Sequence, residues 1–336
     1  MTGDGFGGRS WYVSYNYNVG SYSAYTVCGP NDQLYGWGNN VQGELGNGLN
    51  VSTTAPVPAT GMTDVRFYAS GYITSCIRKD STAWAWGYLT NAAGIAFAHV
   101  DPKLMLSGVK FVDAGISHLV FIKYDSTVWA LGRNNSGELG NGTTTLSIVP
   151  VKMTGVQNAV RAICLGYTYG TTIILQADGL VKITGGYQWF TQVDSKMPVL
   201  IPGLTDIVDI KGNASAAFAL NKNGEVFAFG TETQYGSLGL GLSQQTYAPP
   251  TKITFPAGSA PIIALSATND GTTTLALDED GKLYGWGGNF YAQLGDGTLI
   301  SKSRPILVAT NVIDMGAAET FSYIIKADKT IWATGQ

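Results

Sequence analysis

The hexapeptide GELGNG stands at Gly43–Gly48 and returns at Gly137–Gly142, 94 residues further on. Half of it is glycine, the residue that reaches positive φ without steric penalty and lets a second backbone come close. A loop that performs chemistry is needed once, whereas a loop that turns a corner is needed at every corner. GGNFYAQLGDG at Gly287–Gly297 shares the pattern, and GTETQYGSLGLG at Gly230–Gly241 is a stretched version of it. Four occurrences in one chain make the motif a structural corner, whose leucine is expected to plug the space between neighbouring units.

Working outward, each corner begins where a short strand ends in glycine. Such strands recur as LYGWG to Gly38, AWAWG to Gly87, VWALG to Gly132 and VKITG to Gly185. VFAFG to Gly230, LYGWG to Gly287 and IWATG to Gly335 complete the series, at intervals of 49, 45, 53, 45, 57 and 48 residues. Turns precede six of these strands: KDST, YDST, ADGL, KNGE, EDGK and ADKT. Asp-Gly and Asn-Gly there predict two-residue type I′ hairpins, with positive φ at both central positions. Upstream lie an alternating apolar strand, as in HLVFIK at His118–Lys123, and another ending in small residues, as in VKFVDAG at Val109–Gly115. A proline about eight to eleven residues after the corner is expected in an outer strand. Repeats of this length and composition predict an all-β, seven-bladed β-propeller, one domain over residues 1–336.

The sequence resembles the RCC1-repeat family (regulator of chromosome condensation). YGWGNNVQGELGNG at Tyr35–Gly48 is similar to the family's W-G-x-N-x-x-G-Q-L-G-x-G segment, and VDAGISHLVFIKYDST at Val112–Thr127 to its second half. The resemblance runs from about Val13 to Gln336 and implies the same seven-bladed architecture. GYLTNAAGIAFAHVDP from Gly87 and GGYQWFTQVDSKMP from Gly185 lack the corner, so individual function is expected there. The last unit stops one strand short at IWATGQ. The first ten or so residues are expected to supply that strand; a three-stranded blade, or a strand encoded outside this stretch, is the alternative.

Composition narrows the function classes. Hydrophobic residues make up 45% and charged residues only 13%, with a net charge of −3. No cluster of Lys and Arg provides the electrostatic footprint of a nucleic-acid binder. No basic start with an apolar core marks a signal peptide, and no apolar run is long enough to cross a bilayer, so membrane insertion is not expected. The three cysteines, Cys28, Cys76 and Cys164, form no CxxC pair and read as small buried hydrophobes.

Catalysis lacks candidates. Of two histidines, His118 occupies the repeat's own His position, where it should bond backbone near a tight bend, and His99 falls in an irregular loop. Asp80, Asp125, Asp178, Asp280 and Asp328 fall in the hairpins and serve turn geometry. No phosphate loop, G-x-S-x-G elbow, zinc spacing or calcium loop is present. No cofactor, metal or catalytic residue is expected, and the chain is not expected to be an enzyme.

The aromatic residues are more informative. Trp37, Trp84, Trp86, Trp129, Trp286 and Trp332 lie in the repeating third strands and read as packing residues. Tyr187, Trp189 and Phe190 sit where the corner is missing, and Tyr88, Tyr235, Phe290 and Tyr291 occupy comparable loops. These seven are the candidate ligand-binding residues, suited to protein anchoring or sugar stacking. The composition favours a surface-exposed recognition module binding a protein or cell-surface glycan, such as an adhesin or a viral receptor-binding or tail protein. That reading places it extracellularly or on a virion, as part of a larger assembly. The resemblance implies as alternatives an intracellular exchange factor for a small GTPase or an enzyme-inhibiting propeller.

Overall fold

The computed structural model describes residues 14–16, 24–29, 32–70, 73–90, 96–166, 170–186, 195–213, 215–232, 235–267, 271–318 and 320–336. Within them the chain forms seven antiparallel sheets, six of four strands and a last one of three. The sheets follow one another as seven blades: 14–58, 65–106, 109–152, 159–200, 207–252, 262–309 and 312–335. Each blade runs from an inner strand outward, and the inner strands of successive blades pack side by side. The segment expected to complete the last blade lies outside the described residues.

Burial explains why these segments become these strands. The second strand of a blade is covered on both faces by the adjoining blades, so it reads as a continuous apolar or small run. Thr171–Gln176 and Ala216–Asn221 are buried at every position. Outer strands are mostly exposed, as at Ser147–Lys152 and Ser195–Leu200. No single core results. Six apolar clusters form instead, one at each boundary between successive blades, from Leu34, Met62 and Trp86 between the first two to Leu277, Leu283 and Met315 between the last two.

The corner motif ties blades 1, 3 and 5 to the blades that follow them. Asn40, Asn134 and Asn289 are wholly buried at its start. In each, Oδ1 accepts the N–H of the plug leucine five residues on (Leu45, Leu139, Leu294) at 2.9 Å. The Nδ2 group donates to two carbonyls of the returning loop, such as Thr143 and Thr145 for Asn134. All four corner leucines are buried, as expected. The corner then lies directly on the outer strand of the following blade. A β-carbon on Gly43, Gly137 or Gly236 would stand 2.7, 2.5 or 2.4 Å from the Cα of Val100, Lys196 or Ser303. A few residues on, the N–H groups of Gly48, Gly142 and Gly241 donate to those same three residues' carbonyls at 2.8–2.9 Å. The outer strands carry the prolines, among them Pro56, Pro150 and Pro305.

Three expectations need correction. Only the second residue of each hairpin pair has positive φ (Ser81, Ser126, Gly179, Gly224, Gly281, Lys329), so the turns are not type I′. The reason is a side-chain bond: in blades 2, 3, 4 and 7 the turn aspartate accepts the N–H two residues on, as Asp80 does from Thr82, and holds the first position right-handed. Among the third-strand tryptophans only Trp86 and Trp286 are fully buried, while Trp332 is 57% exposed, its blade having no outer strand among the described residues. Cys28 is half-buried, unlike Cys76 and Cys164.

The close approach at the corners predicts a contrast between two glycines that share a left-handed backbone. Gly142→Ala meets nothing within 4 Å and is expected to cost only the ~1–2 kcal/mol of left-handed strain. Gly137→Ala must also displace the backbone of Lys196, so its loss of stability in urea unfolding should be at least twice as large. Equal losses would show that the corner does not press on the next blade.

Candidate functional site: an aromatic corner between blades 5 and 6

The buried asparagine decides what the corner of blade 6 exposes. Asn289 draws the carbonyls of Thr298 and Ile300 inward, at 3.0 and 3.3 Å. The side chains before and after this clamp then have nowhere to point but solvent. Phe290 is 55% exposed, Tyr291 47%, Leu299 62% and Ile300 66%. Tyr235 reaches across from the corner of blade 5, and its ring meets Phe290 edge to face, centroids 5.0 Å apart at 85°. Tyr235, Phe290, Leu299, Ile300 and Ser301 line an open depression of about 460 Å³. Among the described residues no charged side chain lines it. Asp296, on the same loop, is tied inward. Burial alone would raise its carboxyl, but hydrogen bonds from Thr298, Lys302 and Asn289 outweigh that and hold it down at about 2.

The structure thus brings together Tyr235 and Phe290, with Tyr291 beside them. Tyr88 is half-buried in the strand Ala83–Thr90, paired with Ala98, and lines no part of this depression. Tyr187, Trp189 and Phe190 lie outside the described residues. The corner of blade 3, which binds its loop the same way, carries Asn135 and Thr143–Thr145 where blade 6 carries aromatic and aliphatic residues.

Sequence reading missed a second group, on the inner strands. Arg161 of blade 4 bridges Asp209 of blade 5 at 2.7 Å, and its guanidinium stands 5.8 Å from the Phe111 ring of blade 3. Asp113 accepts the backbone N–H of Cys164 across the blade boundary at 2.8 Å. Burial raises the Asp113 carboxyl to about 6 and lowers the Lys211 ammonium. Charged residues recurring at the third and fifth positions of the inner strands were the available signal: Asp113, Arg161, Asp209 and Lys211. These links lock inner strands to one another.

His118 holds a boundary rather than a reaction. Its Nε2 lies 3.0 Å from Thr172 Oγ1, whose hydroxyl donates to the Glu138 carbonyl at 2.7 Å. That fixes the proton on Nε2, so the ring reaches backbone through Thr172 and not directly, as the sequence had suggested. Its Nδ1 is buried without a hydrogen-bond partner. Among the described residues no group of three His, Cys, Asp or Glu could hold a metal ion.

The family can now be placed. The profile of the regulator of chromosome condensation (RCC1) repeat matches residues 31–76, 125–173 and 280–325, and a second profile of the same repeat matches 264–293. The chain carries RCC1 repeats and is an RCC1-repeat β-propeller. It is 24% identical over 293 residues to the mitochondrial RCC1 domain-containing protein RUG3 of Arabidopsis thaliana, covering 82% of this chain and 58% of that protein. It is 25% identical over 309 residues to the human E3 ubiquitin-protein ligase HERC2, covering 87% of this chain but 5% of that protein. The crystal structure of Prp20p from Saccharomyces cerevisiae superimposes with a TM-score of 0.72 at 16% identity, over 93% of this chain and 80% of that one. This chain therefore spans about three-fifths of RUG3 and a small fraction of HERC2. None of these three is an adhesin or a virion protein.

The buried histidine generates a pH prediction. Burial, aided by Arg133, lowers His118 from 6.5 to about 4, so between these values the unfolded chain binds a proton that the folded one does not. Its contribution is complete above pH 6.5 and is lost as pH falls toward 4, by ~3 kcal/mol in all. Asp113 and Glu138, both raised by burial, act with the opposite sign, so the test is a difference. Unfolding free energies of the native chain minus His118→Gln should be flat above pH 6.5 and fall below it. A flat difference throughout would mean that the ring is solvated.

Proposed function

We propose that this propeller is a non-catalytic protein-recognition module whose partner seats on the corner of blades 5 and 6. The observation that carries this reading is the Tyr235–Phe290 pair, joined from two blades, beside exposed Leu299 and Ile300 in a depression without charge. Large amphipathic rings held by a rigid scaffold are the residues that dominate protein interfaces. The Phe290 loop is clamped by buried Asn289 and the blade 5 corner is held by buried Glu232, so little ordering entropy is lost on binding.

A regulator of the RCC1 kind is supported by the repeat itself and by relatives such as Prp20p, described with binding to Gsp1p and histones. Display on a cell or virion, and a glycan ligand, draw support only from the low charge content and the aromatic loops. The protein-binding reading is common to both and is the one the corner supports.

The test compares the native chain with Phe290→Ala, a change at an exposed position that should leave the melting temperature unchanged. Each is used as bait in lysate and as a labelled probe on intact cells. A partner bound by the native chain should be lost from the variant, with a weakening of ~2 kcal/mol or more, about thirtyfold, in a direct titration. Partners retained equally by both proteins would remove the corner from the interface. Binding to lysate or to cells separates the regulator from surface display.

A further inference from the structure

The corner of blade 5 lies across the start of the outer strand of blade 6 and has a surface depression on either side. Gly236 seats on Ser303, and the Gly241 N–H donates to the Ser303 carbonyl at 2.8 Å. On one side Tyr235 lines the aromatic depression. On the other, Leu240 and Leu242 line a second groove, of about 320 Å³, together with Tyr247, Pro249 and Thr251 of the blade 5 outer strand.

Arg304 also lines this second groove, and it comes from the same stretch as Ser301, which lines the first. The two are three residues apart, ~10 Å along an extended chain. The repeat does not require an arginine here: the residue after the one pressed by the corner is Asp101 in blade 2 and Met197 in blade 4. Gly48 and Gly142, the counterparts of Gly241, meet nothing within 4 Å of where a β-carbon would stand. Gly241 meets Nε, Cζ and Nη2 of Arg304 at 2.6–2.8 Å, so the flat guanidinium lies over the glycine. Its N–H donors all lie in that plane, and stacking on one face leaves them unspent.

Charge around the groove is unevenly balanced. Lys252, which also lines it, is bonded to Glu225, and Lys302 lies 3.0 Å from Asp296. Among the described residues the exposed Arg304 has no carboxylate partner, and no carboxylate lines the groove. A chain that starts on Tyr235 and Phe290 and crosses the corner therefore meets apolar surface first and uncompensated positive charge next.

We propose, resting on the aromatic corner as the partner's seat, that its occupant is an extended acidic segment of another protein. A large apolar side chain of the segment sits in the aromatic depression. About three residues on, an Asp or Glu meets the guanidinium edge of Arg304. Charge complementarity selects this occupant: the carboxylate receives charge-assisted hydrogen bonds from donors that stacking on Gly241 leaves free. A basic segment of the same apolar content is repelled by the same side chain.

The probes are two labelled synthetic peptides titrated into the full chain by fluorescence anisotropy: GSLSEEEGS, and GSLSQQQGS as its uncharged counterpart. The acidic peptide should bind about fivefold more tightly at low salt and lose that advantage as salt is raised. Arg304→Gln should abolish the difference at an unchanged melting temperature, and Arg304→Lys, which keeps the charge, should keep part of it. Phe290→Ala should weaken both peptides alike. Equal affinity for the two peptides overturns the proposal whether or not the variants fold; if both still weaken in Phe290→Ala, the aromatic seat stands and only its acidic partner falls. Binding that depends on Arg304 but is indifferent to Phe290→Ala removes the seat itself, and the proposal with it. No binding of either peptide, or an acidic preference that survives Arg304→Gln, overturns it too. So does a dimer of this chain that Arg304→Gln dissociates, since a second copy would then be the occupant.

Discussion

The geometry of the ring depends on how closely one blade's corner can lie on the next blade's outer strand. At Gly43, Gly137 and Gly236 two backbones approach to a separation that no side chain permits, and a backbone hydrogen bond a few residues on closes the contact. Because cohesion is divided among six boundary clusters, no central core sets the angle between blades. The corners supply a constraint of their own, and in blades 1, 3 and 6 a buried asparagine keeps the corner tight. Its amide satisfies at once the plug leucine's N–H and two inward carbonyls, groups that are costly to leave buried and unpaired.

Variation within the corner has local electrostatic consequences. In blade 1, Glu44 takes a hydrogen bond from Asn39 as well as from a backbone N–H. Blade 3 has Arg133 in place of that asparagine, and one oxygen of Glu138 is left buried without a partner. Burial then raises the Glu138 carboxyl, whose backbone carbonyl is the anchor for Thr172 and, through it, His118. The third and fourth blades are therefore joined by a polar chain in addition to their apolar contact. Such a chain is sensitive to protonation in a way the apolar clusters are not.

Much of this was legible in the sequence because the repeat writes each constraint several times. Seven glycine-terminated strands gave the blade count, and four corners separated structure from chemistry. The hairpins misled because the Asp-Gly pairs suggest a two-residue turn, while the aspartate's own carboxylate selects another. Half of the corner's logic was also hidden. Asn134 looks like one more polar loop residue, and nothing local reveals that it is wholly buried. The aromatic site was readable as a set of exposed residues but not as a pair: Tyr235 and Phe290 are 55 residues apart, and only the ring brings their corners together. The charged inner strands were missed because Arg161 and Asp209 each look solvated when taken singly.

Trp332 shows why position in the repeat is not the same as environment. It has the strand, the turn and the hydroxyl partner of Trp84 and Trp129, and its ring is held in the same way. Burial at this position is conferred by the neighbouring outer strand, not by the tryptophan or its own hairpin. A sequence pattern can therefore specify the conformation of a side chain completely and still leave its exposure to be decided by a segment elsewhere. Ala292, at φ 62°, stands where Gly43, Gly137 and Gly236 stand in the other corners. Both departures fall at the boundary of blades 6 and 7, next to the most apolar of the corners.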